Sequence, residues 1–584
     1  MILGPEERNT ASGANSAIPG GGGNTAAGDY SFAAGHHAQA LHDGSFVWAD
    51  STDADFGSTA DNQFLVRASG GAQISAGNGV TLTVGLNSAL RLLESNSIGG
   101  LILNTVSEGV EGATIGGGGD WMIYDRWFQS YAHWVMGNYA TIGGGLTNEA
   151  FGWASTVAGG EGNYALADYA TIGGGGGPPD TRGVWLRENT ASGMASTISG
   201  GQGNIAQRSH STVGGGRGNV AAGEYATIGG GGGDPYVDAG NRVSDDYGTV
   251  GGGGNNQAGD DAGTSEDRPY ATVGGGFTNT ASGDGSVVAG GVGNVASGLN
   301  ATIAGGNDNT ASGERSTVGG GKNNRALNSA AVVGGGISNT ANGWGATVAG
   351  GNTNNATQHY AAVGGGASNT ASGTHSTIPG GYMNTAQGAY SFAAGRKAKA
   401  NNQGCFVWGD STDADIACNT NNTWIARATG GVYFYTNTAL TSGVRVVSGA
   451  SAWSSVSDRT LKENFDTANG QDILKRLSTI PITTWNYKAQ DASIRHIGPV
   501  AQDFYAAFGL GEDETLISTI DADGVALAAI QGLYGTSQSQ ASRIQQLEKE
   551  NATQKQEISD LEARIAALET MVAKMAQTGA GGGR

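Results

Sequence analysis

The chain has 584 residues, 106 of them glycine and only 9 proline, and a formal net charge of -20. Glycine at that level without a triplet period excludes collagen, and the acidic balance speaks against nucleic acid or an anionic membrane as partner. Two cysteines are too few for a disulfide framework, and no apolar run reaches the length of a membrane span.

The first residues, MILGPEERNT, lack the basic and apolar regions of a secretory signal. From Asn9 the chain reads Asn9-Thr10-Ala11-Ser12-Gly13, and the phrase returns fifteen residues on at Asn24. Residues 1–35 are read as coils of a β-roll. A connector follows over 36–71, HHAQALHDGSFVWADSTDADF and onward to Gly71, with Phe-Val-Trp and Leu-Val-Arg runs that alternate as strands do. Asp50, Asp53 and Asp55 lack the spaced Gly and bidentate Glu of a calcium loop, so they read as a solvated acidic corner with no metal. Residues 72–110, with VTLTVGL, ALRLLES and GGLILNT, read as alternating strands of a β-neck.

The roll occupies 111–395. Four steps between successive threonines, 114 to 141, 171 to 197, 227 to 249 and 249 to 272, exceed fifteen residues by 12, 11, 7 and 8. All four insertions are assigned to the corner after the glycine run, and insertions confined to one face of a solenoid mark a binding face. The first insertion is aromatic: Trp121, Tyr124, Trp127 and Trp134 are candidates for stacking on a ligand, or else they pack on one another and on neighbouring chains. The later ones carry Asp234, Asp238, Asp245, Asp246, Asp260, Asp261, Glu266 and Asp267 and read as solvated acidic loops.

From Ala271 to Gly395 the repeat is strict. Asn279, Asn294, Asn309, Asn324, Asn339, Asn354, Asn369 and Asn384 follow one another at fifteen residues. One Thr-Val or Thr-Ile pair, a run of Gly and one Asn per period suit two very short strands and two tight turns. Gly supplies positive φ at the corners, and Asn tolerates the left-handed region. The period predicts a parallel β-solenoid, one coil per fifteen residues, rising about 4.8 Å per coil. The phrasing resembles the head repeats of trimeric autotransporter adhesins, which implies a three-chain bundle. A coil core of Ala, Thr, Val and Ile is thin against the ordering entropy of so many glycines, which also argues for burial against partner chains.

The connector returns over 396–450, offset by 360 residues without a gap: Trp408 for Trp48, Trp424 for Phe64, Asp413 for Asp53. Cys405 and Cys418 replace Ser45 and Ser58 in this copy alone, which points to a touching pair, as a disulfide or as inert buried thiols.

Residues 451–534 change grammar. Ser457-Asp458 with Lys462, the Trp485-Asn486-Tyr487-Lys488 strand, Gly498-Pro499-Val500-Ala501-Gln502-Asp503 and the stretch from Asp521 to Leu527 resemble the intramolecular chaperone domain of endosialidases and other phage tail spikes, a self-cleaving peptidase family. The resemblance implies a trimerising domain that is cut off between Val456 and Ser457. Ser457 would be the nucleophile and Lys462 its base, with His496 and Gln502 as possible auxiliaries. On a continuous helix a five-residue spacing separates two side chains by about 140°, so a turn or strand must bring Lys462 to Ser457. Thr460-x-x-Glu463 fits a capping box for a helix starting there.

Heptads over 535–578 place Ile544, Asn551, Ile558, Ile565 and Val572 at a and Leu547, Gln554, Leu561, Leu568 and Met575 at d, a coiled coil. That core favours a dimer by itself; the polar Asn551 and Gln554 layers weaken the preference, and the neighbouring domains imply a trimer. Residues 579–584 form a loose tail.

The fold expected is mostly β: a parallel β-roll solenoid, trimeric, with a C-terminal α+β chaperone domain and a coiled coil. The function expected is an adhesin-like, surface-binding homotrimeric fibre, extracellular, on a cell surface or on a virion. Its partner would be a cell-surface glycan or protein receptor, with no cofactor, no nucleic acid and no membrane span. The adhesins end in a membrane barrel and this chain in a coiled coil, which favours a tail fibre. A tail-spike enzyme degrading surface polysaccharide and a purely structural fibre are the alternatives.

Overall fold

Each fifteen-residue phrase winds into one turn of a parallel β-solenoid. The computed structural model describes residues 8–71, 80–83, 89–93, 95–101, 103–119, 121–124, 127–130, 132–177, 188–233 and 240–579. Two units are distinguished, Met1–Arg427 and Ala428–Arg584.

In the first unit two-residue strands stack coil on coil into ladders. Thr272–Val273, Val287–Val288, Thr302–Ile303 and Thr317–Val318 pair in one; Thr280–Ala281, Val295–Ala296 and Thr310–Ala311 pair in the other. Side chains alternate across a strand, so the first residue of each pair faces outward and the Val, Ile or Ala goes in. A single bridge per coil, such as Val292 to Asn307, joins the glycine corners as a third line of contact. The second ladder runs through 19 strands, from Thr105–Val106 to Ile416–Cys418. Both connectors continue the solenoid with longer parallel strands: Phe32, Phe46 and Phe64 stand in register in the first, as Phe392, Phe406 and Trp424 do in the second.

The core of a coil is closed by its own side chains. Asn294, Ala296, Ala301 and Ile303 all reach zero exposure. The motif asparagine is therefore not a turn residue, as its local chemistry suggested. Asn309 Oδ1 accepts the backbone N–H of Asn324 at 2.9 Å, and its Nδ2 donates to the carbonyls of Gly305 and Gly321, each at 3.0 Å. A carboxamide has both donors and an acceptor, so it can bond the Gly305 carbonyl and add a second donor to the Gly321 carbonyl, which already accepts the Asn307 N–H at 2.9 Å. The left-handed conformation falls one residue earlier, at Asp308 with φ 55°. Glycine is required at Gly306, where a Cβ would stand 2.2 Å from the Gly321 oxygen.

Two boundaries move. Asn96–Ile98 pairs in parallel with Thr114–Ile115, and Thr105–Val106 with Trp134–Val135, so the roll begins inside the stretch expected as a neck. Ala89–Leu93 pairs antiparallel with Val80–Thr83 on one side and with Asn96–Ile98 on the other, so the antiparallel pairing leads straight into the roll. The fourth insertion also leaves its expected corner. Gln257–Ala258 keeps register with Arg242–Val243 and Thr280–Ala281, which puts the extra residues between Ala258 and Ala271, after the Ala strand rather than after the glycines. A step between threonines measures how much is inserted in a coil, not where.

The second unit opens on a three-stranded antiparallel sheet, Gly431–Tyr435, Gly443–Val447 and Ser454–Ser455. Helix α1 (Gly470–Leu477) is capped by Asn469, whose Oδ1 accepts from Gln471 N and Asp472 N. Thr483–Trp485 pairs antiparallel with His496–Gly498. Helix α2 (Ala501–Phe508) follows, ended by the left-handed Gly509, and then α3 (Thr519–Gly579), 61 residues long. The boundary expected at 534/535 falls inside α3, which runs on without a break. Glycines let α1 approach α3: a Cβ on Gly532 would lie 2.2 Å from the Gly470 oxygen. Gln471 Nε2 donates to the Gly532 carbonyl at 2.6 Å. Among the described residues of this unit, the buried apolar side chains are Ile480, Phe504, Val525 and Ala529.

Candidate functional site

Three elements position Ser457. The strand Ser454–Ser455 is held by Val444 and Arg445 of its neighbour, and Val456 N donates to the Gly443 carbonyl at 3.0 Å, so the chain reaches Ser457 from a fixed sheet edge. Asp458 then starts a single 3-10 turn, Arg459–Leu461, its Oδ1 accepting from both the N and the Oγ1 of Thr460 at 2.8 Å. Those two bonds hold the Asp458 carboxyl below its usual pKa. Lys462 ends the turn in an extended conformation, φ -125° and ψ 149°. The cap here is Asp458, and Thr460 is its partner, so the capping box expected from Thr460 and Glu463 does not form; one turn is too short for an N3 residue to reach back.

This kink brings the two residues together. Lys462 Nζ donates to Ser457 Oγ at 2.6 Å. Both side chains are exposed in the single chain.

Residues 457–510 match the family described as the chaperone of endosialidase. The match starts on Ser457 itself. This is a family of self-cleaving chaperone domains, and such a domain joined to a long β-solenoid fits a tail-fibre or spike-like protein. Asp521 to Leu527 lie beyond the matched residues, on α3. No curated protein matches the chain in sequence.

Within the chaperone domain His496 bonds Gln490 Oε1 at 2.9 Å and packs against the rings of Trp485 and Tyr487. Gln502 lies exposed on the first turn of α2. Neither is hydrogen-bonded to Ser457. Elsewhere, Cys405 and Cys418 form a disulfide, Cα to Cα 6.2 Å, across the second connector. The insertion that begins at Trp121 is an antiparallel hairpin, Trp121–Tyr124 against Trp127–Ser130; the side chains of Trp121, Tyr124 and Trp127 lie outside the described residues. Trp134 belongs to the roll and not to that hairpin: it sits on a ladder strand, 45% exposed, its indole N–H bonding Ser107 Oγ at 2.9 Å. His133 beside it occupies the asparagine place of its coil.

Sequence reasoning passed over a second aromatic feature. His210, Tyr225, Tyr247 and Tyr270, one per coil, stack ring on ring with centroids 4.8, 5.1 and 5.0 Å apart. Their left-handed backbone turns each ring outward, and the tyrosines are about half exposed. The Tyr-Ala-Thr phrase at 139, 169, 225 and 270 was the available signal.

Proposed function

We propose that the chain is one subunit of a homotrimeric tail-fibre protein whose β-roll binds a surface and whose C-terminal domain drives assembly and then releases itself between Val456 and Ser457. The observation that carries the cleavage is the 2.6 Å contact from Lys462 Nζ to Ser457 Oγ at the first matched residue of the chaperone domain. Lysine as free amine takes the hydroxyl proton while Oγ bonds the Val456 carbonyl carbon. The C–N bond breaks, the proton passes to the new Ser457 amine, and water hydrolyses the resulting ester to a Val456 carboxylate and the Ser457 hydroxyl.

A solvated lysine carries its proton near neutral pH, so a base role needs burial or a neighbouring cation. The dyad is exposed in the single chain, which ties the chemistry to assembly. The same dependence fits the packing of the second unit: against four buried apolar side chains stand Leu516, Leu527, Ile530, Leu533, Tyr534 and the heptad a and d residues of α3, exposed. A helix of 61 residues with an uncovered apolar seam supports a coiled coil. The half-exposed tyrosine stack presents a row of ring edges and hydroxyls suited to contacts with a protein or glycan surface, which supports surface binding over a purely structural role.

The test is mass spectrometry of the full chain after prolonged incubation. A fragment of residues 457–584 should appear, and should vanish in Ser457→Ala and Lys462→Ala while both variants still assemble as trimers. A folded wild-type trimer that stays whole overturns the cleavage, and a monomer in solution overturns the assembly.

A further inference from the structure

The duplicated connector supplies its own internal comparison. In the second copy, Arg396 and Lys397 both pair with Asp413, at 3.0 and 2.7 Å. In the first copy the same places hold His36, His37 and Asp53. The backbone is alike: His37 has φ 61° and Lys397 φ 55°, a left-handed kink that lets two consecutive side chains turn to one side of the strand. The two imidazoles accordingly lie with ring centroids 4.5 Å apart. Ligand atoms of His36, His37 and Asp53 all fall within 4.8 Å of one another.

We propose that His36, His37 and Asp53 bind one divalent transition ion of the zinc class, which does for the first connector what Arg396 and Lys397 do for the second. His37 Nδ1 bonds Asp55 Oδ1 at 3.0 Å, and its Nε2 faces Asp53 Oδ1 at 3.3 Å. With the proton on Nδ1, held by Asp55, the Nε2 lone pair points at a carboxylate, and a cation between them resolves the repulsion. An imidazole whose far nitrogen donates to a carboxylate is the usual support of a metal-bound histidine. Two metal bonds of about 2.0–2.1 Å spanning that gap would meet at roughly 107°, close to tetrahedral. His36 brings a second imidazole, its buried Nδ1 without a hydrogen-bond partner. Two imidazoles and one carboxylate are a donor set for zinc and its neighbours rather than for calcium or magnesium. On a regular strand adjacent residues point to opposite faces; the left-handed residue at His37 brings the two imidazoles together instead.

The experiment uses the full, untagged chain, stripped with chelator and dialysed against micromolar zinc. The comparison is the double swap His36→Arg with His37→Lys, a pair of residues the second connector already folds around. Wild type should retain one more zinc per chain than the swap, and cobalt in place of zinc should give the visible absorption of a tetrahedral site that the swap lacks. Asp53→Asn, at a side chain 87% exposed and so free of folding consequences, should weaken zinc binding about tenfold or more. Equal zinc content in wild type and both variants, or no retained zinc in wild type, overturns the proposal.

Discussion

Asn309 donates both its backbone N–H and its side-chain N–H to Oδ1 of Asn294 in the preceding coil, each at 3.0 Å. The backbone half of that relationship recurs at Asn324, Asn339, Asn354, Asn369 and Asn384, and a polar stack inside the solenoid results. Asn309→Ala would leave the carbonyls of Gly305 and Gly321 and the N–H of Asn324 without these partners. An unsatisfied buried group costs about 1–3 kcal/mol, so the variant should lose on the order of 3 kcal/mol in denaturant unfolding. A change within error would mean that water enters the corner and replaces the carboxamide.

His133 is the exception in that stack and is buried, 1% exposed. Burial pushes its pKa below 6.5. The unfolded chain then takes up the proton more readily than the folded one, so the histidine's share of stability is complete above about pH 6.5 and is lost as pH falls below it. His133→Asn restores the stack and removes the proton site. Its thermal stability should match or exceed wild type at pH 7, and its advantage over wild type should widen as the pH is lowered to 5. Parallel pH profiles for the two proteins would contradict this account.

The disulfide Cys405–Cys418 closes a thirteen-residue loop. On the chain-entropy model it contributes about 3 kcal/mol. The double variant Cys405→Ser with Cys418→Ser reproduces Ser45 and Ser58 of the first connector, so it should fold with lower stability of about that size. Wild type and variant that are equally stable in the absence of reductant would assign the bridge no energetic role.

Asp458 is proposed as a positioning residue for cleavage. Its two bonds to Thr460 hold the turn that delivers Lys462 to Ser457. Asp458→Ala should slow appearance of the 457–584 fragment by about tenfold, the order of losing one oriented hydrogen bond. Asp458→Asn, which keeps an acceptor, should recover most of the rate, and trimer yield should not change in either. Equal rates for Ala and Asn would leave Asp458 without a positioning role.

Much of the molecule was legible in the residues. A strict fifteen-residue step, with Ala and Val or Ile in phase, admits one backbone path, because strands of two residues alternate in and out and each coil must lie on the last. Motif order singled out Ser457 and Lys462, and the structure brings those two side chains to 2.6 Å of one another. Tertiary structure decided what spacing leaves open. It put the motif asparagines inside, because the carbonyls they satisfy belong to coils twelve residues ahead and four behind. The fourth insertion moved to the other corner because register between coils, not the distance between threonines, locates extra residues. His36 and His37 came to share one side of a strand because a single left-handed residue reverses the alternation that local pattern assumes. Each of these is a contact across coils or a departure from ideal backbone, and a linear period records neither.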